Sequence, residues 1–332
     1  MFMPAASTDR KIDKLIHLMV KNAMVVVPGP KIAAEIGGTR STVWQYIEKL
    51  RGLGVEIKGH PSSGYQLEKL PDILVPSLIK PELGEIRIGH RILHYFKTNS
   101  TNDVAMGAAA KGAEHGTVVI AEDQTAGRGR LGRAWYSEKS SGIYASILLR
   151  PPLAPSAAPV LTLLAGVAVH QAIRSMTGLA ADIRWPNDVL VNGKKVCGIL
   201  TEMSAEVDRI HAVVLGIGIN VNHREMPEEL KPIATSLRIE AHKNVSRAQV
   251  VAALLKEVEK LYELLLREGS AAIVERWAAA SSFARGKTIR VLTASGEYRA
   301  ETVGLDPSGA LRVRRSDGRE ELLVAGEIVE VK

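Results

Sequence analysis

The chain has 332 residues, 46% hydrophobic and 24% charged, with a formal net charge of +7, enough to bury a sizeable core divided over two or three domains. Its single cysteine, Cys197, excludes an intramolecular disulfide and a cysteine-rich zinc site. No apolar stretch reads as long and uninterrupted enough for a membrane span, and Met1-Phe2-Met3-Pro4-Ala5-Ala6-Ser7 lacks the charged start and apolar run of a secretory signal, so the expected location is cytoplasmic.

Residues 1–66 carry nine Lys/Arg against five Asp/Glu, a basic bias that fits nucleic-acid binding and that a solvated surface also accommodates. Ile12, Leu15, Ile16 and Met19 recur at helical spacing, Pro28-Gly29-Pro30 breaks the chain, and Lys31–Ile36 supplies a short second helix. After the Gly37-Gly38 turn, Thr39 can cap a third helix through about Arg51, with Val43, Tyr46, Ile47 and Leu50 on one face. Val55–Lys58 and Tyr65–Leu67 form a hairpin wing, completing a winged helix-turn-helix whose later helix enters the major groove. On that geometry Arg40, Ser41, Trp44 and Gln45 are the candidate DNA contacts, with Lys31, Lys49 and Lys58 nearer the phosphates. Trp44 could instead pack under the wing.

Pro71, Pro76 and Pro81 disfavour a continuous long helix and mark a linker. The expected division is 1–68 for the DNA-binding unit, 69–85 for the linker, 86–284 for a mixed α/β domain and 285–332 for a small β-barrel. Within the third unit, Asp103–Lys111 reads as a helix, Thr117–Glu122 as a strand and Pro159–Met176 as a long apolar helix packed on a sheet. Asn192-Gly193 joins two strands in a tight hairpin, Ile210–Ile219 is a strand and Ser246–Arg267 a helix. His90 and His94 stand four apart in strand-like sequence and are not a ligand pair. In the last unit, short β-rich runs alternate with turns at Asp306-Pro307-Ser308-Gly309 and Ser316-Asp317-Gly318.

The run from Gly127 to Trp135 holds three glycines and three arginines in nine residues. Glycines permit positive φ and close approach to a ligand, and arginines present forked donors to phosphoryl oxygens, so the run reads as an anion-holding loop. Gly127, Gly129 and Gly132 also satisfy a dinucleotide fingerprint, but that motif must open a helix, whereas Ile143–Leu149 has strand composition. A basic surface turn is the plain alternative. Cys197, flanked by Val196 and Gly198, reads as a small buried filler.

The same run resembles the adenylate-binding loop of biotin-protein ligases, and four further segments match that family in order. They are Asn99-Ser100-Thr101-Asn102, Arg184-Trp185-Pro186-Asn187-Asp188, Lys195-Val196-Cys197-Gly198-Ile199-Leu200-Thr201-Glu202 and Gly216-Ile217-Gly218-Ile219-Asn220-Val221-Asn222, with Gln124 four residues before Arg128. The N-terminal segment is similar to the DNA-binding module of the family's repressor-type members. The resemblance covers nearly the whole chain and departs from the family pattern at Cys197, where a small aliphatic residue is usual.

This resemblance implies an SH3-like C-terminal barrel and two-step chemistry: biotin and ATP give biotinyl-5′-AMP, with Mg²⁺ helping to neutralise the phosphates, and a lysine of a biotin carboxyl carrier protein then displaces AMP. It places biotin against Ser100, Thr101, Asn102, Gln124, Arg128, Gly129, Arg130, Lys195 and Gly198. The adenylate falls to Arg133, Trp135, Asn187 and Asn220, and catalysis to Arg128, Arg130, Lys195 and Asp188. Trp135 reads equally as a core side chain. Asn187 and Asp188 either meet magnesium or orient the acceptor amine, Asp188 being equally readable as a turn cap, and no resident metal site is expected. The resemblance further implies a ligand-promoted homodimer on palindromic operator DNA, with carrier and second subunit competing. A lipoate-type ligase and a sensor that no longer catalyses are the alternatives; the arginine loop argues against the first and the retained Lys195 and arginines against the second.

Overall fold

The computed structural model describes residues 6–69, 72–293 and 296–331. Most of Met1–Ser7 and Pro71 lie outside these residues.

The N-terminal unit follows the apolar spacing. Helix α1 (Ala6–Lys21) buries Ile12, Leu15, Ile16 and Met19, and the two-residue strand β1 (Val26–Val27) follows. Gly29 and Pro30, expected only as a break, open α2 (Gly29–Ile36), because proline's fixed φ suits the first turn of a helix. Gly37 ends α2 at φ 63°, and Thr39 caps α3 (Arg40–Arg51) by accepting from the Thr42 N–H at 3.3 Å. Val43, Ile47 and Leu50 are buried. Strands β2 (Ile57–His60) and β3 (Gly64–Leu67) form the wing, and β1 pairs with β3 to make a three-stranded sheet.

The stretch expected as a linker contains α4 (Pro76–Leu83), with Pro76 in its first turn and Pro81 inside it. Ile79 and Leu83 join the core of the central unit together with Leu74. A chain of alternating elements follows: β4 (Ile92–Tyr95), α5 (Thr101–Ala110), β5 (Val118–Ala121), β6 (Gly142–Leu149), α6 (Pro159–Thr177), β7 (Ala181–Arg184), β8 (Asp188–Val191), β9 (Lys194–Ala205) and β10 (Ile210–Asn220). Helices α7 (Leu237–Ala241), α8 (Arg247–Glu268) and α9 (Ser270–Ala279) complete the unit; Ser246, read from sequence as the first residue of the helix, stands just before α8 as its N-cap. The seven strands form one sheet in the order β4-β5-β6-β10-β9-β8-β7, in which only β4 and β5 pair in parallel. Asn192 and Gly193 turn the β8–β9 hairpin with φ of 50° and 75°, as its two-residue turn requires.

Side-chain alternation divides the sheet into two faces. Ile143, Ala145, Ile147 and Leu149 of β6 and Val213, Leu215, Ile217 and Ile219 of β10 join the large core under α6 and α8. Their neighbours Ser146, Gly216 and Gly218 face the other way. On that second face α5 covers Val119, Leu148 and Val214 with a small cluster of its own.

Helix α6 contradicts the expectation that nothing in the chain matches a membrane span. With the turn before it, residues 155–177 are long and apolar enough by composition, but 67% of the apolar window is buried against the sheet and α8, as in a core helix. The C-terminal strands β11 (Thr288–Thr293), β12 (Gly296–Leu305), β13 (Leu311–Arg315), β14 (Glu320–Leu323) and β15 (Glu327–Glu330) form an antiparallel sheet in the order β14-β13-β12-β11-β15, the last strand returning beside the first.

Candidate functional site

A cavity of about 290 Å³ opens on the second face of the sheet. Its floor is a row of residues paired across four strands: Tyr144, Gly218, Gly198 and Asp188. The next row is Ser146, Gly216 and Leu200. Lys195 stands three residues from Gly198, a spacing that in a regular strand would place the two on opposite faces. The register shift in β9, where Leu190 pairs with Lys195 and Val189 with Cys197, absorbs one residue and brings Lys195 to the cavity. Val196 and Cys197 are buried in the core, and burial pushes the Cys197 thiol far up, so it is an inert filler.

The floor glycines are required by what lies on them. A Cβ on Gly198 would stand 2.7 Å from the Trp135 ring and 3.0 Å from Lys195 Cε; one on Gly218 would stand 2.5 Å from the same indole. Trp135 is half-buried and lies across both strands, with the Lys195 ammonium 5.4 Å from its ring centroid. Lys195 Nζ is 2.6 Å from Asp188 Oδ1, and Arg184 Nη2 is 2.7 Å from Asp188 Oδ2, so one carboxylate holds two cations. Asn187 donates to the Ile199 carbonyl at 2.7 Å.

At the other end of the cavity Ser100 and the first residues of α5 turn their polar groups inward. Gln124 Oε1 accepts from the Thr101 N–H at 2.8 Å and from its hydroxyl at 3.1 Å. Ser146 donates to Asn102 Oδ1 at 2.6 Å, and Ser100, Thr101 and Asn102 are all buried. A Cβ on Gly216 would lie 2.2 Å from Asn102 Oδ1. Gly216→Ala is therefore expected to displace the Asn102 amide and weaken ligand binding by about tenfold or more, measurable by titration calorimetry with little change in the far-ultraviolet circular dichroism.

The arginine loop closes on itself through Gly129 N–H to Arg133 O at 2.7 Å and Trp135 N–H to Gly127 O at 2.8 Å. Of its three glycines only Gly132 has positive φ (73°), and Leu131 shares the left-handed region at 57°. Gly127 instead serves close approach, since a Cβ there would stand 2.9 Å from Gln124 Nε2. Arg128 pairs with Asp103 at 2.7 Å and Glu202 at 3.3 Å, and the hydrogen bond to Asp103 together with both carboxylates reinforces its positive charge. Arg130 bonds Asn187 Oδ1 at 3.4 Å and the Gly326 carbonyl at 3.1 Å; Arg133 pairs with Glu327 at 2.7 Å. The C-terminal sheet thus forms one rim of the cavity. Among the described residues no group of three or more His, Cys, Asp and Glu side chains could hold a metal ion.

The cavity therefore gathers Ser100, Thr101, Asn102, Gln124, Arg128, Gly129 and Arg130 from the first half of the sequence motifs. It also gathers Arg133, Trp135, Asn187, Asp188, Lys195, Gly198 and Asn220. Asn220 is buried and donates to the Thr235 carbonyl at 3.1 Å. Residues not singled out from sequence include Tyr144, Gly216, Gly218 and the C-terminal Glu327; the glycines were visible in a motif, but the pairing that puts them on the floor is long-range. Arg40, Ser41, Trp44 and Gln45 lie elsewhere, exposed on α3; Trp44 is 56% exposed and so does not pack under the wing. Lys31 and Lys58 are also exposed, while the Lys49 ammonium lies 4.5 Å over the Phe96 ring. His94 is buried beside Glu122, 3.4 Å away.

His223, beside the segment that follows the loop, is fully buried, with its Nε2 3.9 Å from Glu138 and its ring 5.8 Å from that of Tyr136. Burial and then Arg247 hold its pKa down at about 4. An unfolded histidine takes up its proton near pH 6.5, so the native state binds fewer protons between there and about pH 4, and stability falls as pH drops through that window. The loss is on the order of 3 kcal/mol. Chemical denaturation of wild type and His223→Gln between pH 7 and pH 4 is expected to show a shallower pH slope in the variant.

A glycine-floored cavity under an arginine loop, joined to a winged helix-turn-helix and a small β-domain, defines a ligase-type anion site coupled to a DNA-binding unit. Family models agree: the Biotin/lipoate A/B protein ligase family matches residues 95–220, an HTH domain 13–66 and the Biotin protein ligase C terminal domain 286–329. The chain is 39% identical over 323 residues to the bifunctional ligase/repressor BirA of Bacillus subtilis, covering 96% of this chain and 98% of that one. It is 29% identical over 300 residues to the protein of the same name from Escherichia coli, covering 90% and 91%. The solved biotin protein ligase from Aquifex aeolicus in complex with biotin and ATP matches with a TM-score of 0.63 and 29% identity, over 73% of this chain and 99% of that chain. The chain belongs to the biotin-protein ligase family, in its bifunctional ligase/repressor form.

Proposed function

We infer that this chain condenses biotin with ATP to biotinyl-5′-AMP, transfers the biotinyl group to a lysine of a carrier protein in the cytoplasm, and represses transcription through its winged domain. The observation that carries the reading is the convergence of the loop arginines, Lys195 and the Thr101–Gln124 polar end on one glycine floor. In the first step the biotin carboxylate attacks the α-phosphorus, the bond to the β-phosphoryl oxygen breaks and pyrophosphate leaves. No protein nucleophile is needed, so catalysis consists of alignment and fixed positive charge. Ser100, Thr101, Asn102 and Gln124 offer donors and acceptors to the ureido ring. Lys195, aimed by Asp188, bonds the carboxylate and then the ester oxygen, while Arg128, Gly129 and Arg130 cover the ligand. Trp135, Arg133, Asn187 and Asn220 serve the nucleotide. Magnesium arrives as part of the MgATP substrate, and both Asp188 oxygens already face cations.

In the second step the lysine amine of the biotin carboxyl carrier protein attacks the acyl carbon, AMP leaves, and the amine loses a proton to solvent. A closed loop that excludes water protects the anhydride until then. The exposed face of α3 bearing Arg40, Ser41, Trp44 and Gln45 reads operator DNA. Adenylate-dependent ordering of the loop promotes a homodimer that matches a palindromic operator and competes with carrier docking. The reading is tested by biotin-dependent pyrophosphate release, transfer of labelled biotin to a carrier domain, and sedimentation with and without biotin plus MgATP. A wild type that binds biotin but transfers none points to a sensor only, and a monomer–dimer equilibrium indifferent to adenylate removes the regulatory half.

A further inference from the structure

We propose that Glu202 is a positioning residue for the reaction inferred above, and so rests on that reading: it fixes the Asn102 amide at one end of the cavity and the Arg128 guanidinium at its mouth. Glu202 follows Gly198 and Leu200 at alternate positions of β9 and so shares their face. Its Oε2 accepts from Asn102 Nδ2 at 2.6 Å. The same amide nitrogen donates to the Leu200 carbonyl at 3.2 Å, and Asn102 Oδ1 accepts from Ser146 at 2.6 Å. Both amide protons and one carbonyl lone pair are thereby assigned, which leaves the amide a single orientation.

The other side of Glu202 faces Arg128, whose Nη2 lies 3.3 Å from Oε1 and 3.4 Å from Oε2. Asp103, in the first turn of α5, takes the same guanidinium at 2.7 Å from its Oδ1. A fork held by two carboxylates from two elements has its position set before a ligand arrives, which is the condition for electrostatic help without reorganisation. Glu202 is not a core side chain: its side chain is 35% exposed. Its two contacts therefore serve the cavity rather than the interior.

The two arms separate by substitution. Glu202→Gln keeps an acceptor for Asn102 but loses the charge facing Arg128; Glu202→Ala loses both; Asp103→Asn weakens only the Arg128 arm. Expected are a KM for biotin raised about tenfold in Glu202→Ala and within about threefold of wild type in Glu202→Gln and Asp103→Asn, with kcat for adenylation lowered about tenfold in all three. Calorimetric biotin affinity gives the Asn102 arm a readout independent of turnover and follows the same order as KM. Equal KM, kcat and affinity in wild type and all three variants, or a changed melting temperature alone, would overturn the proposal. If wild type forms no adenylate, the ligase reading itself fails; the calorimetric comparison of Glu202→Ala with wild type still decides whether Glu202 sets the Asn102 end.

Discussion

Lys195→Ala is expected to slow biotin adenylation by about 10²–10³-fold, the effect of removing one fixed donor from a developing charge, while biotin still binds. The position of the ammonium sets the size of this effect. Nζ lies 2.6 Å from Asp188 and above the glycine floor, and it reaches that position only through the register shift in β9. Its neighbour Lys194 lies outside the cavity, exposed, and donates to the Lys231 carbonyl at 2.9 Å, so Lys194→Ala is expected to leave adenylation unchanged. Arg130→Ala should lower the rate comparably by a different route, because Arg130 also ties the loop to Asn187 and to the Gly326 carbonyl on the C-terminal rim. Rapid-quench measurement of pyrophosphate release distinguishes these cases. A Lys194 effect larger than that of Lys195 would contradict the assignment.

Arg247→Met is expected to cost about 3–5 kcal/mol of folding stability, the penalty for leaving a buried carboxylate without its partner. Arg247 is fully buried, bonding Glu122 at 2.9 Å, the Gly142 carbonyl at 3.0 Å and Asp72 at 3.1 Å; it also donates to the Asp72 carbonyl. Glu122 Oε1 in turn accepts from the Leu74 N–H at 2.6 Å. Residues 72–74, on the path from the winged unit, are thus fastened to the ends of β5 and β6 and the start of α8. Burial pushes the Glu122 carboxyl up, but Arg247, His94 and the Leu74 N–H outweigh it and hold the pKa at about 2. A depressed carboxylate contributes stability that is present above its unfolded value near 4.3 and is lost as pH falls through the folded one. Urea denaturation at pH 7 checks the loss, and Arg247→Met combined with Glu122→Gln should recover much of it. A single variant as stable as wild type would show that the ion pair contributes nothing.

Much of this was legible in the sequence because it is written locally. The winged unit announces itself through the apolar spacing of α1 and α3, the Thr39 cap and the Gly37 turn, each within one or two turns of chain. The arginine loop, Lys195 with Gly198, and the Ser100–Asn102 segment are short motifs, and all of them line one cavity. What sequence did not show is relational. Gly216 and Gly218 become a floor only by pairing with Leu200 and Gly198, and Asp72 meets Arg247 across 175 residues. The rim supplied by Gly326 and Glu327 likewise has no local signal. Local rules also misled where two readings share one composition. Of the prolines that marked a linker, Pro76 and Pro81 sit in α4, where Pro76 is suited to a first turn. Helix α6 has membrane-like composition because both the sheet and α8 cover it. In the loop, Leu131 rather than Gly127 or Gly129 takes the left-handed conformation, the first two glycines not having positive φ.

On the proposed function, one glycine-floored cavity makes and holds biotinyl-5′-AMP. The most direct measurement is a single-turnover experiment in which the full chain is mixed with labelled biotin and MgATP, quenched, and examined by mass spectrometry before and after addition of a carrier domain. Expected is enzyme-held biotinyl-5′-AMP in amounts matching the enzyme, disappearing as one lysine of the carrier gains a biotinyl group. Biotin bound but never adenylated, or an adenylate that forms equally in the Lys195→Ala and Arg130→Ala variants, would contradict it.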